Sequence, residues 1–164
     1  MRWELIDRFE VLKRGARSRA VKSFTGGEDF FSEHYPGRAL VPEPLCIEMI
    51  AQAGGVLYGL GLDFEKEVIL AKIIRATFGA PVAPPCRFVI EARIDEERED
   101  AALVTGTVSV DGTTRPVAEA SLLLVAIAGL GDLAGDHRKI VFNERFLDHY
   151  DIWNVAKASE AAPA

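Results

Sequence analysis

Apolar and polar positions change rhythm several times along this chain, and each change marks an element. From Leu5 to Phe24, residues rich in Val, Phe and Arg and interrupted at Gly15 predict one long bent strand or a hairpin. From about Pro44 to Leu60 the pattern is nearly continuous. Leu45, Ile47, Met49, Ile50, Ala51, Ala53, Val56 and Leu57 cover most sides of a helix, which predicts burial rather than a surface position. Proline fits its first turn, where the missing N–H would have no intrahelical partner. Val68 to Phe78 is β-branched and apolar, with Lys72 and Arg75 interspersed, and ends at Gly79-Ala-Pro-Val-Ala-Pro-Pro85. Between Arg87 and Asp95, Phe88, Ile90, Ala92 and Ile94 alternate with charged side chains, the signature of a half-buried strand.

Glu96 to Asp100 reads as a charged hairpin tip. Leu103 to Val110 and Val117 to Ile127 read as two further strands, joined across Asp111-Gly112, a good hairpin signal. One long apolar helix among such strands predicts an α+β fold in which an antiparallel sheet, buried on one face, curls over the helix. That domain spans residues 1–128. Residues 129–164 form a C-terminal extension: a connector over 129–135, then Phe142, Phe146, Tyr150 and Trp153 at three- or four-residue spacing. The spacing predicts a short amphipathic helix packed on the sheet or on a neighbour, followed by a frayed tail from Ala156.

Composition narrows the function classes. Hydrophobic residues make up 49% and charged residues 27%, ordinary values for a globular chain of one domain. With 25 acidic against 19 basic side chains the net charge is −6, which gives nucleic-acid binding no electrostatic support. The longest apolar run, Ser121 to Leu130, is too short for a membrane span. The N-terminal residues mix charges into their apolar positions and lack a signal-peptide core. Cytoplasmic residence follows as the default. Cys46 and Cys86 have no metal-site spacing and read as reduced, structural thiols. Lys13, Arg14, Arg17, Arg19 and Lys22 read as a solvated strand face, with a docking patch for an acidic partner as the sharper alternative.

The chemistry concentrates between residues 28 and 55. An aromatic, turn-rich loop carries His34, passes Pro36 and Gly37, and leads into a helix whose polar side chains near its start are Glu48 and Gln52. Apolar neighbours around Glu48 predict a carboxyl with a raised pKa, able to donate a proton. Gln52, four residues on, lies on the same face and can orient it. An imidazole base and a carboxylic acid facing one cavity suit elimination of water from a 3-hydroxyacyl thioester. A helix N-terminus beside them would stabilise the enolate-like oxygen. His137 and His149 read as structural or exposed.

The stretch Glu-Asp-Phe-Phe-Ser-Glu-His-Tyr-Pro-Gly-Arg-Ala-Leu-Val-Pro-Glu-Pro-Leu-Cys-Ile-Glu-Met-Ile-Ala-Gln-Ala-Gly-Gly resembles the signature of the 3-hydroxyacyl-(acyl carrier protein) dehydratases. The resemblance covers roughly residues 6 to 127 and implies the hot-dog fold, a long central helix wrapped by a curved antiparallel sheet. It implies His34 as base, Glu48 as acid, and a Leu40 carbonyl that orients the imidazole. It further implies an N–H at Glu43 facing the thioester oxygen, and an apolar tunnel for which Phe30, Phe31 and Met49 are lining candidates, although all three also fit a plain core. The implied substrate rides on the phosphopantetheine of acyl carrier protein or coenzyme A, with no separate cofactor and no metal. The implied assembly is a homodimer with its sites at the interface, with a trimer of dimers as a further option.

Three residues depart from the pattern. Glu33 and Glu43 stand where the family has glycine, and Pro44 brings no N–H to the helix start. The acid–base pair is therefore intact while the oxyanion side is altered. Two alternatives follow: a hot-dog acyl thioesterase, with Glu48 activating water, and a catalytically weak subunit that binds acyl carriers.

Overall fold

The computed structural model describes residues 4–113, 115–128 and 141–162. Connector 129–135 and His137 lie outside them. Among the described residues six strands form one antiparallel sheet: β1 Arg8–Lys13, β2 Arg17–Phe24, β3 Glu67–Phe78, β4 Cys86–Arg98, β5 Ala101–Val110 and β6 Pro116–Ile127. Their spatial order is β1-β2-β4-β5-β6-β3. The first segment is thus a hairpin, turning at Gly15 with φ +64°. Alternation runs through Ala102–Val108 in β5 and Ala118–Ala126 in β6, where every second residue is buried, which is what a sheet with one face on a core requires. The charged stretch after Asp95 differs from expectation. β4 continues to Arg98, because the pairings Glu96 with Leu103 and Arg98 with Ala101 extend the ladder, leaving only residues 99 and 100 to turn.

Among the described residues four helices accompany the sheet: α1 Phe30–His34, α2 Glu43–Gly61, α3 Glu144–His149 and α4 Ile152–Ala161. Nineteen residues long, α2 begins after Pro42, which caps it in extended conformation, and accepts Pro44 in its first turn. The concave side of the sheet takes it in, and Met49, Ile50, Ala53 and Leu57 are fully buried. Two glycines set how closely it lies. A Cβ on Gly54 would stand 2.7 Å from a Val104 methyl, and one on Gly106 would stand 2.5 Å from Ile50 and 2.8 Å from the Glu91 carbonyl oxygen. Helix and middle strand therefore meet across bare backbone. The buried Ser18 hydroxyl on β2 adds a tie, donating to the Ala53 carbonyl at 3.1 Å.

Residues 141–162 depart most from expectation. They form two helices, not one, with the break at Asp151 in the left-handed region (φ +50°). The segment expected to fray from Ala156 is helical to Ala161, and Ala156 is itself buried. Phe142, Tyr150, Ile152 and Ala156 belong to the same core as the sheet and α2. Phe64, just past the end of α2, meets Phe142 at 5.1 Å and Trp153 at 5.5 Å between ring centroids. The buried Glu67 carboxylate, at the head of β3, accepts from the Val141 N–H at 3.1 Å.

Candidate active site

Pro36, Gly37 and the extended residues after them bring the chain from α1 to the start of α2. The Arg38 N–H donates to the Tyr35 carbonyl at 2.9 Å and closes that turn. The Val41 N–H donates to the Val82 carbonyl at 2.8 Å, pinning the entry to α2 against the segment that follows β3. His34 does not sit in a loop as read from the sequence. It is the last residue of α1, a single turn held down by buried Phe31. Its ring is exposed and lies edge-on to Tyr35, 4.4 Å between centroids.

Glu48 lies one turn into α2 on the least buried stripe of that helix, with Leu45, Ala51 and Gln52. It is half-buried, less sealed than its apolar sequence neighbours suggest, because Ile47, Met49 and Ile50 point into the core while Glu48 points away from it. Gln52 does what its spacing predicts: its amide Nε2 donates to Glu48 Oε1 at 2.9 Å. That bond fixes the carboxyl rotamer and leaves its second oxygen open to a substrate.

The remaining expected site residues are distributed unevenly. Glu43 is the exposed first residue of α2, so its N–H has no intrahelical acceptor and remains available at the helix start. Leu40 is half-buried in the extended entry, and among the described residues no hydrogen bond joins its carbonyl to His34. Phe31 is 5% exposed and packs edge-on against Phe24 at 6.0 Å. Met49 is wholly enclosed. Both belong to the core of the single chain.

Among the described residues no hydrogen bond or ion pair joins His34 to Glu48 within one chain. The described partner of the first is Tyr35, and a described partner of the second is Gln52. Of the cysteines, both free, Cys46 follows Leu45 in the first turns of α2; burial pushes its thiol up to about 12, with Glu43 and Cys86 adding to the shift. It is no nucleophile at neutral pH. Among the described residues three of the five cations in the basic cluster of the first hairpin are paired: Arg14 meets Asp63 at 2.7 Å, Arg19 meets Glu91 at 2.9 Å, and Lys22 meets Asp7 at 2.9 Å. This favours the solvated face over the docking patch.

One long helix held in the curve of an antiparallel sheet, with a carboxyl turned outward near the helix start, defines a hot-dog protein. Within that class the family model of the FabA-like domain matches residues 2–121. The 3-hydroxyacyl-[acyl-carrier-protein] dehydratase FabZ of Thiobacillus denitrificans is 37% identical over 123 residues, which cover 73% of this chain and 83% of that one. Its counterpart in Erythrobacter litoralis is 33% identical over 123 residues, covering 73% and 82%. The dehydratase heterocomplex ApeI:P of Xenorhabdus doucetiae shares the fold with a TM-score of 0.63 at 17% identity, over 80% of this chain and 87% of that one. The chain belongs to the FabA-like family. Residues 141–162 lie beyond the matched region.

Proposed function

We infer that this chain dehydrates 3-hydroxyacyl thioesters to trans-2-enoyl thioesters, and hydrates them in reverse. The observation that carries the reading is the Gln52-oriented Glu48 carboxyl on the open stripe of α2, in a chain of the FabA-like family that also keeps His34. The His34 imidazole takes the proton from C2, the carbon next to the thioester carbonyl. Electrons move to form the C2–C3 double bond, and the C3–O bond breaks as Glu48 protonates the hydroxyl, which leaves as water. The Glu43 N–H at the helix start faces the carbonyl oxygen as negative charge develops there. No redox step occurs, so the reaction needs no cofactor beyond the phosphopantetheine arm of acyl carrier protein or coenzyme A that carries the substrate.

The complete site belongs to a homodimer, with His34 of one chain serving Glu48 of the other. Two features support this. His34 is exposed and has no described hydrogen bond or ion pair to Glu48 within one chain, and β3 presents an apolar free edge with Ile69, Leu70, Ile73, Ile74 and Phe78 all exposed. No helix among the described residues is long and apolar enough to cross a membrane, and we place the enzyme in the cytoplasm. The test is a hydration–dehydration assay on acyl thioesters of both carriers, with product analysis. Enoyl product formed by the wild type and lost with His34→Ala supports the reading; free acid and free thiol as the products would replace it with hydrolysis.

A second reading, a catalytically weak carrier-binding subunit, is favoured by Glu43 and Pro44 at the helix start. A carboxylate beside the developing oxyanion opposes it, and loss of one oxyanion donor costs on the order of 100-fold or more in rate. Acyl-thioester binding without turnover, unchanged by His34→Ala, would select this reading. A rise in rate with Glu43→Gly would locate the weakness at the oxyanion side.

A further inference from the structure

Strand β1 is one edge of the sheet, bonded to β2 on one side only. An open edge offers a row of unpaired N–H and C=O groups on which another strand can add. Here that row meets side chains of the C-terminal helices. The Ser159 hydroxyl of α4 accepts from the Leu12 N–H at 2.9 Å while donating to the Val155 carbonyl at 2.7 Å. The Tyr150 hydroxyl donates to the Ile6 carbonyl, just ahead of β1, at 3.1 Å. Around these two bonds the contact is apolar: Tyr150 meets Phe9 edge-on at 5.7 Å, and Ile152 and Ala156 are buried. Main-chain groups at both ends of the strand thus end on side chains that cannot continue a ladder.

Nothing comparable covers β3 among the described residues. Its twelve residues include five exposed large apolar side chains, and its pairing is to β6 alone. We propose that residues 141–162 are an edge guard: they close β1 against strand addition and confine self-association to β3, so that sheet growth stops at two copies of the chain. Without the guard each copy would carry two usable edges, and head-to-tail pairing of unlike edges runs on into filaments wherever its rotation does not close a ring. The role is independent of the reaction the chain performs. It also accounts for a segment lying outside the matched family region yet tied by hydrogen bonds to the backbone of the first strand.

Two full-length variants test it. Tyr150→Phe combined with Ser159→Ala keeps the apolar packing and removes both bonds to the edge. Hydrogen exchange at the Leu12 amide is expected to speed up about fivefold or more, the weight of one hydrogen bond, while amides of β1 directed to β2 keep their protection. Unchanged exchange at Leu12 overturns the proposal. Ala156→Arg undocks α4 outright. Light scattering across a concentration series is expected to give one size for the wild type and steadily growing species for the variant. Adding Ile73→Asp on β3 is expected to stop that growth at pairs. Growth that persists with both edges altered is non-specific clumping and overturns the proposal, as does a folded Ala156→Arg chain that keeps the wild-type size. Should Ala156→Arg fail to fold, Leu12 exchange in the double variant decides alone.

Discussion

At one end of the sheet, β1 is six residues long, and α4 lies along it, with Ser159 and Tyr150 bonded to its backbone neighbourhood. At the other end, β3 is twelve residues long, exposed over most of its length, and studded with isoleucine. A sheet built for a solitary protein blunts both ends with charge, bulges or covering elements. This one covers one end thoroughly and leaves apolar side chains on the other, where Lys72 and Arg75 are the charges interspersed. The difference teaches that exposure here is allocated, not residual: the covered edge contributes stability, and the open edge is where the proposed dimer would bring in the second half of a site.

Substitutions at the acid and the base give the largest expected effects and test that division most directly. His34→Ala or Glu48→Ala should each lower dehydration by roughly two to four orders of magnitude, the usual worth of acid–base catalysis. Mixing the two inactive variants under exchange conditions should restore about a quarter of the wild-type rate, since random pairing across a two-fold axis makes half the dimers mixed, each with one complete site. No recovery on mixing would mean that the two groups act within one chain, and the open edge would lose its catalytic meaning.

Next comes the open edge itself. Ile73→Asp places a charge on the exposed face of β3 and should yield monomers by sedimentation, with activity falling in parallel. Full activity in a monomer would break the comparison. At the covered edge the expected signature is reversed. Ile152→Ala empties a fully buried position of the guard and should cost about 2–5 kcal/mol of stability by denaturant titration, with turnover per folded molecule unchanged.

The smallest effect expected is alkaline. Burial, with Glu4 and Asp7 nearby, pushes the Tyr150 phenol up to about 12 from its ordinary value of 10.0. A raised folded-state value means that this contribution is full below pH 10 and fades as pH climbs through 12. Unfolding midpoints measured from pH 9 to 12 should therefore decline in the wild type more than in Tyr150→Phe.

How much of this was legible in the sequence depended on how each element is stabilised. The strands announced themselves because half-buried pleats force alternation, and α2 because a helix buried nearly all round has little room for charge. The single turn of α1 escaped notice, since five residues are too few for a period. The second half of α4, from Ala156 on, was misread as a tail for a physical reason. It packs through Ala156 and through hydroxyl bonds to a strand nearly the whole chain away, so large apolar residues are scarce where the contact is closest. In the site, Glu48 and Gln52 were readable as a pair because four-residue spacing is local geometry. The relation of His34 to Glu48 was not readable as distance, since the two lie on different elements and no described hydrogen bond or ion pair joins them within one chain. The sealed environment expected of Glu48 also did not materialise, because apolar neighbours in sequence point to other sides of a helix.

Where Ile50 rests on Gly106, the height of α2 above the sheet is referenced to main-chain atoms, the part of a protein that substitution alters least. Glu48 stands two residues away on the same rigid helix. Side chains elsewhere in the core can trade volume with one another while the carboxyl keeps its station, much as a tool keeps its setting against a fixed stop. On the proposed role of Glu48, reaction geometry is thereby insulated from gradual repacking and made dependent on bare backbone: a single methyl group at position 106 is expected to shift the helix and carry Glu48 with it.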